Sequence, residues 1–279
     1  MPRHWGGVTR RGAAAVREGA ADPEWRRAAD RTRRERERAH ERPRDEPWQQ
    51  DTWVREDDRA PAPRQRSRPR RQALPDDVLA DLARATSGRP NRLTRDLTAA
   101  AAAFEAGRYQ EAQRYLKPLA ERAPTSAAVR ELLGLTLYRM GRWNAAIAEL
   151  EAFHQLTGSV EHEPVVADCE RALGRHAAVE RRWEDLRRAS PPAEVLGEGR
   201  LVMAGDLADR GELDRAIALL ARYEPDRARP RPWHVRTWYA LADLYERAGD
   251  VPRARGLFQR LVRMDPEWFD AAERLAALQ

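Results

Sequence analysis

The chain has 279 residues, 51 of them Lys or Arg and 45 Asp or Glu, for a net charge of +6 with histidine neutral. Its single cysteine, Cys169, excludes an internal disulfide and any cysteine-built zinc or iron–sulfur centre, so a reducing compartment is expected. No stretch approaches the roughly 20 apolar residues that span a bilayer, so no membrane association is expected.

Residues 1–74 contain very little Leu, Ile or Val and much Arg, Asp, Glu, Pro and Gln. Such a segment cannot bury enough apolar surface to offset the entropy of ordering, which predicts a disordered N-terminal arm. Within residues 1–72 there are 20 Arg against 13 Asp plus Glu, a net +7, which leaves the rest of the chain at −1. Thr9-Arg10-Arg11-Gly12 and the following Ala13 to Val16 have the outline of a twin-arginine signal. The apolar run stops at Arg17, too short for a signal-peptide core, so a cytoplasmic location is expected. From Asp22-Pro23-Glu24-Trp25 to about Arg42, opposite charges three and four apart predict a transient helix. Trp5, Trp25, Trp48 and Trp53 interleave with arginines, residue types that stack on bases and neutralise phosphates. A nucleic acid is therefore one candidate partner for the arm, and a merely solvated tail is the competing reading.

From Leu74 onward, Ala and Leu recur at helical spacing. Pro75-Asp76-Asp77 before Val78, Leu79 and Leu82 predicts a helix start, with Pro in the first turn and acids near the positive dipole end. This helix is expected to cover the open face of the helices next in the chain, with Ser87-Gly88-Arg89-Pro90 as its loop. Asn91 or Thr94 then caps the next helix.

One phrase then recurs down the chain. Gly107-Arg108-Tyr109, Ala112, Leu116 and Pro124 return as Gly141-Arg142-Trp143, Ala146 and Leu150, with Gly158 in place of Pro; the two glycines are 34 residues apart. A weaker copy is Gly174-Arg175-His176 with Val179 and Trp183, and a fourth is Gly211-Glu212-Leu213 with Ala216 and Leu220. The clearest unit comes last: Trp238, Leu241, Ala242 and Tyr245, then Gly249, Ala254, Phe258 and Pro266. Trp238, Leu241 and Tyr245 share one face of a first helix, and small Ala242 lets a second helix approach. Gly249 ends the first helix, Ala254 and Phe258 form the matching face of the second, and Pro266 stops it.

In order and spacing this unit resembles the tetratricopeptide repeat, with Ala242 where the family signature carries Gly. The resemblance implies an all-α fold: a right-handed α-solenoid of about five helix-turn-helix repeats, at 92–125, 126–159, 160–191, 194–230 and 232–266. A capping helix at 267–279 completes a repeat domain spanning 75–279. It further implies a concave groove, lined by the first helices, that holds a peptide or a partner protein. The groove residues would be Phe104, Tyr138, Arg139, Arg171, Tyr239, Asp243 and Arg247. Some family members clamp a partner's C-terminal carboxylates here. The corresponding positions Leu97, Ala101, Glu131, Leu135, Pro164 and Asp168 offer no side-chain donor for that, so an extended peptide or a partner's helix is expected instead.

Other chemistry has little support. His162 lies between Glu161 and Glu163, where a solvated helix start outweighs a metal site. Gly197-Glu198-Gly199 has the look of part of a phosphate loop, yet no strand precedes it and no Lys-Ser/Thr ends it. Cys169 has the apolar neighbours Val165, Val166 and Ala172 and reads as a packed thiol. Trp143, Trp183, Trp233, Trp238 and Trp268 read as packing residues. The expectation is a non-catalytic interaction scaffold without metal or cofactor. The alternative is a nucleic-acid or ribosome-associated accessory protein acting through the arm.

Overall fold

A computed structural model describes residues 74–86, 90–222, 230–266 and 268–278. The expected arm before Leu74, with its helix from Asp22, lies outside the described residues, as do the loops Ser87-Gly88-Arg89 and Arg227-Ala228-Arg229. Among the described residues the fold is all-α, with twelve helices and no strand. The chain divides into two compact units, whose described parts are residues 74–157 and 158–278.

Unit 1 contains α1 (Asp76–Arg84), α2 (Pro90–Glu105), α3 (Tyr109–Arg122), α4 (Ala127–Arg139) and α5 (Trp143–Thr157). α2 pairs with α3 and α4 with α5, while α4 also packs on α3. Unit 2 contains α6 (Glu163–Ala172), α7 (His176–Ala189), α8 (Ala193–Asp209), α9 (Leu213–Ala221), α10 (Pro232–Arg247), α11 (Val251–Met264) and the short α12 (Ala271–Ala277). Its pairs are α6 with α7, α8 with α9 and α10 with α11; the first helices also pack on one another, α6 on α8 and α8 on α10.

Each pair is made by the turn and the small residue seen in the sequence. At the end of α10, Gly249 has φ +79°, and the next amide, that of Asp250, donates to the Tyr245 carbonyl at 2.8 Å. That closure needs a left-handed residue, which Gly adopts without Cβ strain. Gly107, Gly141, Gly174 and Gly211 make the same turn, with φ between +68° and +78°. On the second helices Ala112, Ala146, Val179, Ala216 and Ala254 are all fully buried, so the small side chains sit where the helices touch. In α4 the contact is closer still. A Cβ on Gly134 would lie 2.6 Å from Leu150 Cδ2 and 3.3 Å from the Leu150 backbone nitrogen. Here the missing side chain is the packing feature.

Two expectations change. α2 begins at Pro90, so neither Asn91 nor Thr94 caps it; proline at the first position already has the helical φ and needs no amide partner. His162, expected at a solvated helix start, is buried just before α6, its carbonyl accepting the amides of Val165 and Val166 at 3.0 Å each. Gly197 and Gly199 lie within α8 and serve helix packing. A Cβ on Gly199 would overlap the Leu186 side chain, and one on Gly197 would stand 3.0 Å from the Trp233 ring.

α1 packs on both α2 and α4. Val78 and Leu82, one helical turn apart, are fully buried, and Asp81 on the same helix reaches the start of α4. Its carboxylate accepts the Ser126 hydroxyl at 2.5 Å and the amides of Ala127 and Ala128 at 3.3 and 3.1 Å. The first-turn donors that a helix leaves unpaired are thereby met from another helix, with the negative charge at the positive dipole end.

Candidate binding face

The first helices of unit 2 share one face on which charged side chains reach from helix to helix. Arg171 of α6 donates Nε–H to Asp168 Oδ1 at 2.9 Å and Nη1–H to Asp209 Oδ2 of α8 at 2.6 Å. Its side chain lies across Gly205, whose absent Cβ leaves 3.6 Å to Arg171 Cδ. Burial alone would lower the Arg171 pKa, but Asp168 and Asp209 outweigh it, and the guanidinium is held above its usual range. Arg236 of α10 pairs with Glu198 of α8. Arg247 of α10 donates to the Ala208 carbonyl of α8 at 3.0 Å and stands 3.7 Å from Asp243.

The end of α10 is tied to α12. Arg274 bonds Asp243 Oδ1 at 2.9 Å and Glu246 Oε2 at 2.6 Å, and its guanidinium lies 4.7 Å from the Phe258 ring centre. The Tyr239 hydroxyl donates to Asp270 Oδ1 at 2.6 Å. Burial, followed by the nearby Asp270 charge, holds that phenol well above its usual pKa, so it stays a donor. Arg255 of α11 donates to the Leu278 carbonyl at 2.9 Å, satisfying the end of α12.

The same helix faces carry a strip of half-buried apolar residues, of which Val202 and Ala240 pack against the core beneath. Val202 is four residues after Glu198 and three before Gly205, Val165 is three before Asp168, and Ala240 is four after Arg236, so each shares the face of its helix with those residues. Phe269, 39% exposed, stands at the α12 end with its ring centre 5.6 Å from that of Tyr239.

The expected groove residues therefore fall into two groups. Arg171, Tyr239, Asp243 and Arg247 come together on this face of unit 2. Phe104, Tyr138 and Arg139 belong to unit 1, each close to a turn. Phe104 is buried with its ring edge-to-face on Tyr109 at 5.6 Å, Tyr138 packs the same way on Trp143, and the exposed Arg139 lies 5.0 Å from the Tyr109 ring centre. The corresponding face of α2 and α4 is closed: Leu97, Ala101, Glu131 and Leu135 are all buried. Sequence reasoning missed Arg274, Asp209, Glu198 and Arg236. Only Arg236 carried a signal of its own, three residues before Tyr239 on the same helix; no residue of α8 was assigned to the groove, so nothing pointed to Glu198 or Asp209.

Among the described residues no cluster of three or more metal-ligating side chains occurs, and no helix is long and apolar enough to cross a membrane. Cys169 is buried, and burial first, then the charges of Asp168 and Glu170, push its thiol up to about 12.

Comparison with known proteins decides the family. Models of the tetratricopeptide repeat match residues 103–153, spanning α3 and α4 with parts of α2 and α5, and residues 235–278, spanning α11 and α12 with most of α10. The chain is a tetratricopeptide repeat protein. The solved structure of a thermophilic TPR protein from Thermus thermophilus is similar at TM-score 0.53 and 19% identity, covering 67% of this chain and 98% of that one. The TPR domain of P58(IPK) is similar at TM-score 0.35 and 18% identity, covering 68% of this chain and 55% of that one. The first likeness is one of fold. No curated protein matches this tetratricopeptide repeat chain.

Proposed function

We propose that this tetratricopeptide repeat protein is a non-catalytic scaffold holding a peptide or partner protein on the α6–α8–α10 face, with Arg171, Tyr239, Asp243 and Arg247 among its contacts. Repeats of this family are interaction scaffolds in general. The observation that carries the finer reading is the half-open strip of Val165, Val202 and Ala240 on helix faces that also carry helix-to-helix ion pairs. A face of this kind gives a bound chain both apolar contact and polar partners, the two ingredients of known protein interfaces. Tyr138 and Arg139 in unit 1, one half-buried and one exposed, add a second place of contact in this reading.

The test is capture of a partner by the immobilised full-length chain, compared with Val202→Arg and Gly256→Arg. Val202 lies in the strip and Gly256 is exposed on α11. Val202→Arg loses the partner and Gly256→Arg keeps it; equal retention by both contradicts the reading. The nucleic-acid alternative rests on the Arg and Trp residues of the arm. It requires a short RNA to bind at low salt and to be released steeply as salt rises.

A further inference from the structure

The charges of unit 2 are sorted by helix. The first helices α6, α8 and α10 carry nine Asp or Glu against four Arg, a net −5, whereas the second helices α7, α9 and α11 carry four against nine, a net +5. Part of the acidic excess stands at helix C-termini, where the helix dipole is already negative and favours cations. Asp209 is the last residue of α8, whose last turn holds no basic residue. Glu246 is next to last in α10, and Asp168 and Asp243 each stand four residues before the end of their helices. Local rules broken in this way are expected where a functional site needs the residue.

These carboxylates form a row across the three helices. Arg171 bonds both Asp168 and Asp209, and Arg247 stands by Asp243 while donating to the Ala208 carbonyl, next to Asp209. The row continues to Glu246, which shares Arg274 with Asp243. Four carboxylates thus share three arginines, and the Asp209, Asp243 and Glu246 side chains remain between 31% and 44% exposed. An ionised carboxylate accepts at both oxygens, so the row has acceptor capacity left for cations from outside.

Its spacing selects the occupant. Packed helices lie about 8–10 Å apart, so carboxylates on successive first helices repeat at about that interval. A polyproline-type chain has three residues per turn and rises about 3.1 Å per residue, so every third side chain points the same way about 9 Å further on. The two repeats coincide. Guanidiniums three residues apart on such a chain meet successive carboxylates, each in a two-pronged bond, and a chain already extended by proline loses little entropy on binding.

We propose that the partner held on this face is an extended, proline-rich segment of another protein with arginines three residues apart, whose guanidiniums bond Asp168, Asp209 and Asp243 on α6, α8 and α10. This rests on the binding-face reading above and names the chemistry that face prefers.

The test uses the full-length chain and two labelled peptides of the same composition. One consists of three Arg-Pro-Pro triplets; the other has its three arginines together, followed by six prolines. Fluorescence anisotropy follows both at about 50 and about 300 mM NaCl. The triplet peptide binds at least about tenfold more tightly than the clustered one, and its hold weakens at the higher salt. Asp209→Asn with Asp243→Asn lowers its affinity at least about tenfold. Glu184→Gln with Asp185→Asn, the same change in charge at exposed positions of α7, leaves the affinity unaltered. Far-UV circular dichroism shows that both variants fold, and the comparison of the two peptides on the unaltered chain needs no variant at all. Absence of binding at low salt overturns the proposal, as do equal affinities for the two peptides or an equal loss in both variants. Capture of a partner that depends on Val202 while the triplet peptide fails to bind leaves the binding-face reading standing and removes only the arginine segment as occupant.

Discussion

Replacing Gly134 by Ala pits helix propensity against packing, and the structure says which wins. Ala is the better helix former by about 1 kcal/mol, so on propensity alone Gly134→Ala stabilises α4. The added Cβ, however, would stand 2.6 Å from Leu150 Cδ2 and 3.3 Å from the Leu150 backbone nitrogen. Leu150 is fully buried and cannot swing away, and α5 must shift with it. Overpacking of this kind costs about 1–3 kcal/mol, so the net effect is a loss of up to about 2 kcal/mol. Gly256 in α11 is the control, because nothing lies within 4 Å of its added Cβ, and Gly256→Ala gains about 0.5–1 kcal/mol. Urea unfolding followed by circular dichroism reads both as shifts in midpoint of opposite sign. Combining Gly134→Ala with Leu150→Ala should cost less than the two separately by about 0.5 kcal/mol or more, since the second change removes the clash. If Gly134→Ala raises the midpoint as Gly256→Ala does, the close nesting of α4 on α5 is wrong.

Other outcomes rest on the same contacts. Asp81→Ala removes the acceptor for Ser126, Ala127 and Ala128 and lowers the stability of unit 1 by about 1–2 kcal/mol, whereas Asp81→Asn recovers part of it; unfolding followed by Trp143 fluorescence measures both. Arg274→Ala unties α12 from Asp243 and Glu246, so hydrogen exchange across residues 271–278 speeds up while that of α8 stays unchanged. Cys169, with its thiol pushed up to about 12, is unreactive towards a thiol reagent at pH 8 in the folded chain and reacts at once in urea. The folded thiol titrates above the unfolded one, so its contribution to stability is complete below the unfolded pKa and disappears as pH rises towards 12. Rapid labelling of native Cys169 at pH 8 would contradict its burial.

What the sequence made legible is what recurs at fixed spacing. The turn glycines and the small residues of the second helices sit at 34-residue intervals or close to it, and a local rule explains each: a left-handed turn at Gly249, a close helix approach at Ala254. Gly134 follows the same logic beside Leu133, but a glycine inside a helix carries no local signal of the neighbour it admits. The docking of α1 through Asp81 joins residues 45 apart in sequence, and Arg274 reaches back about 30 residues to Asp243 and Glu246. Such contacts depend on which helices become neighbours in space, so neither residue stands out in the sequence. The groove residues were half legible for the same reason. Helical spacing groups Tyr239, Asp243 and Arg247 on one face, yet it does not reveal that the equivalent face of α2 and α4 is buried and that of α6, α8 and α10 half-open.

The most direct measurement places a photo-crosslinking amino acid at Val202, Ala240 or Gly256 of the full-length chain, exposes each protein to its captured partner, and locates the adducts by mass spectrometry. Crosslinks from Val202 and Ala240 with none from Gly256 are the expected result. Crosslinks from Gly256 alone would move the binding surface to the second helices and contradict the account.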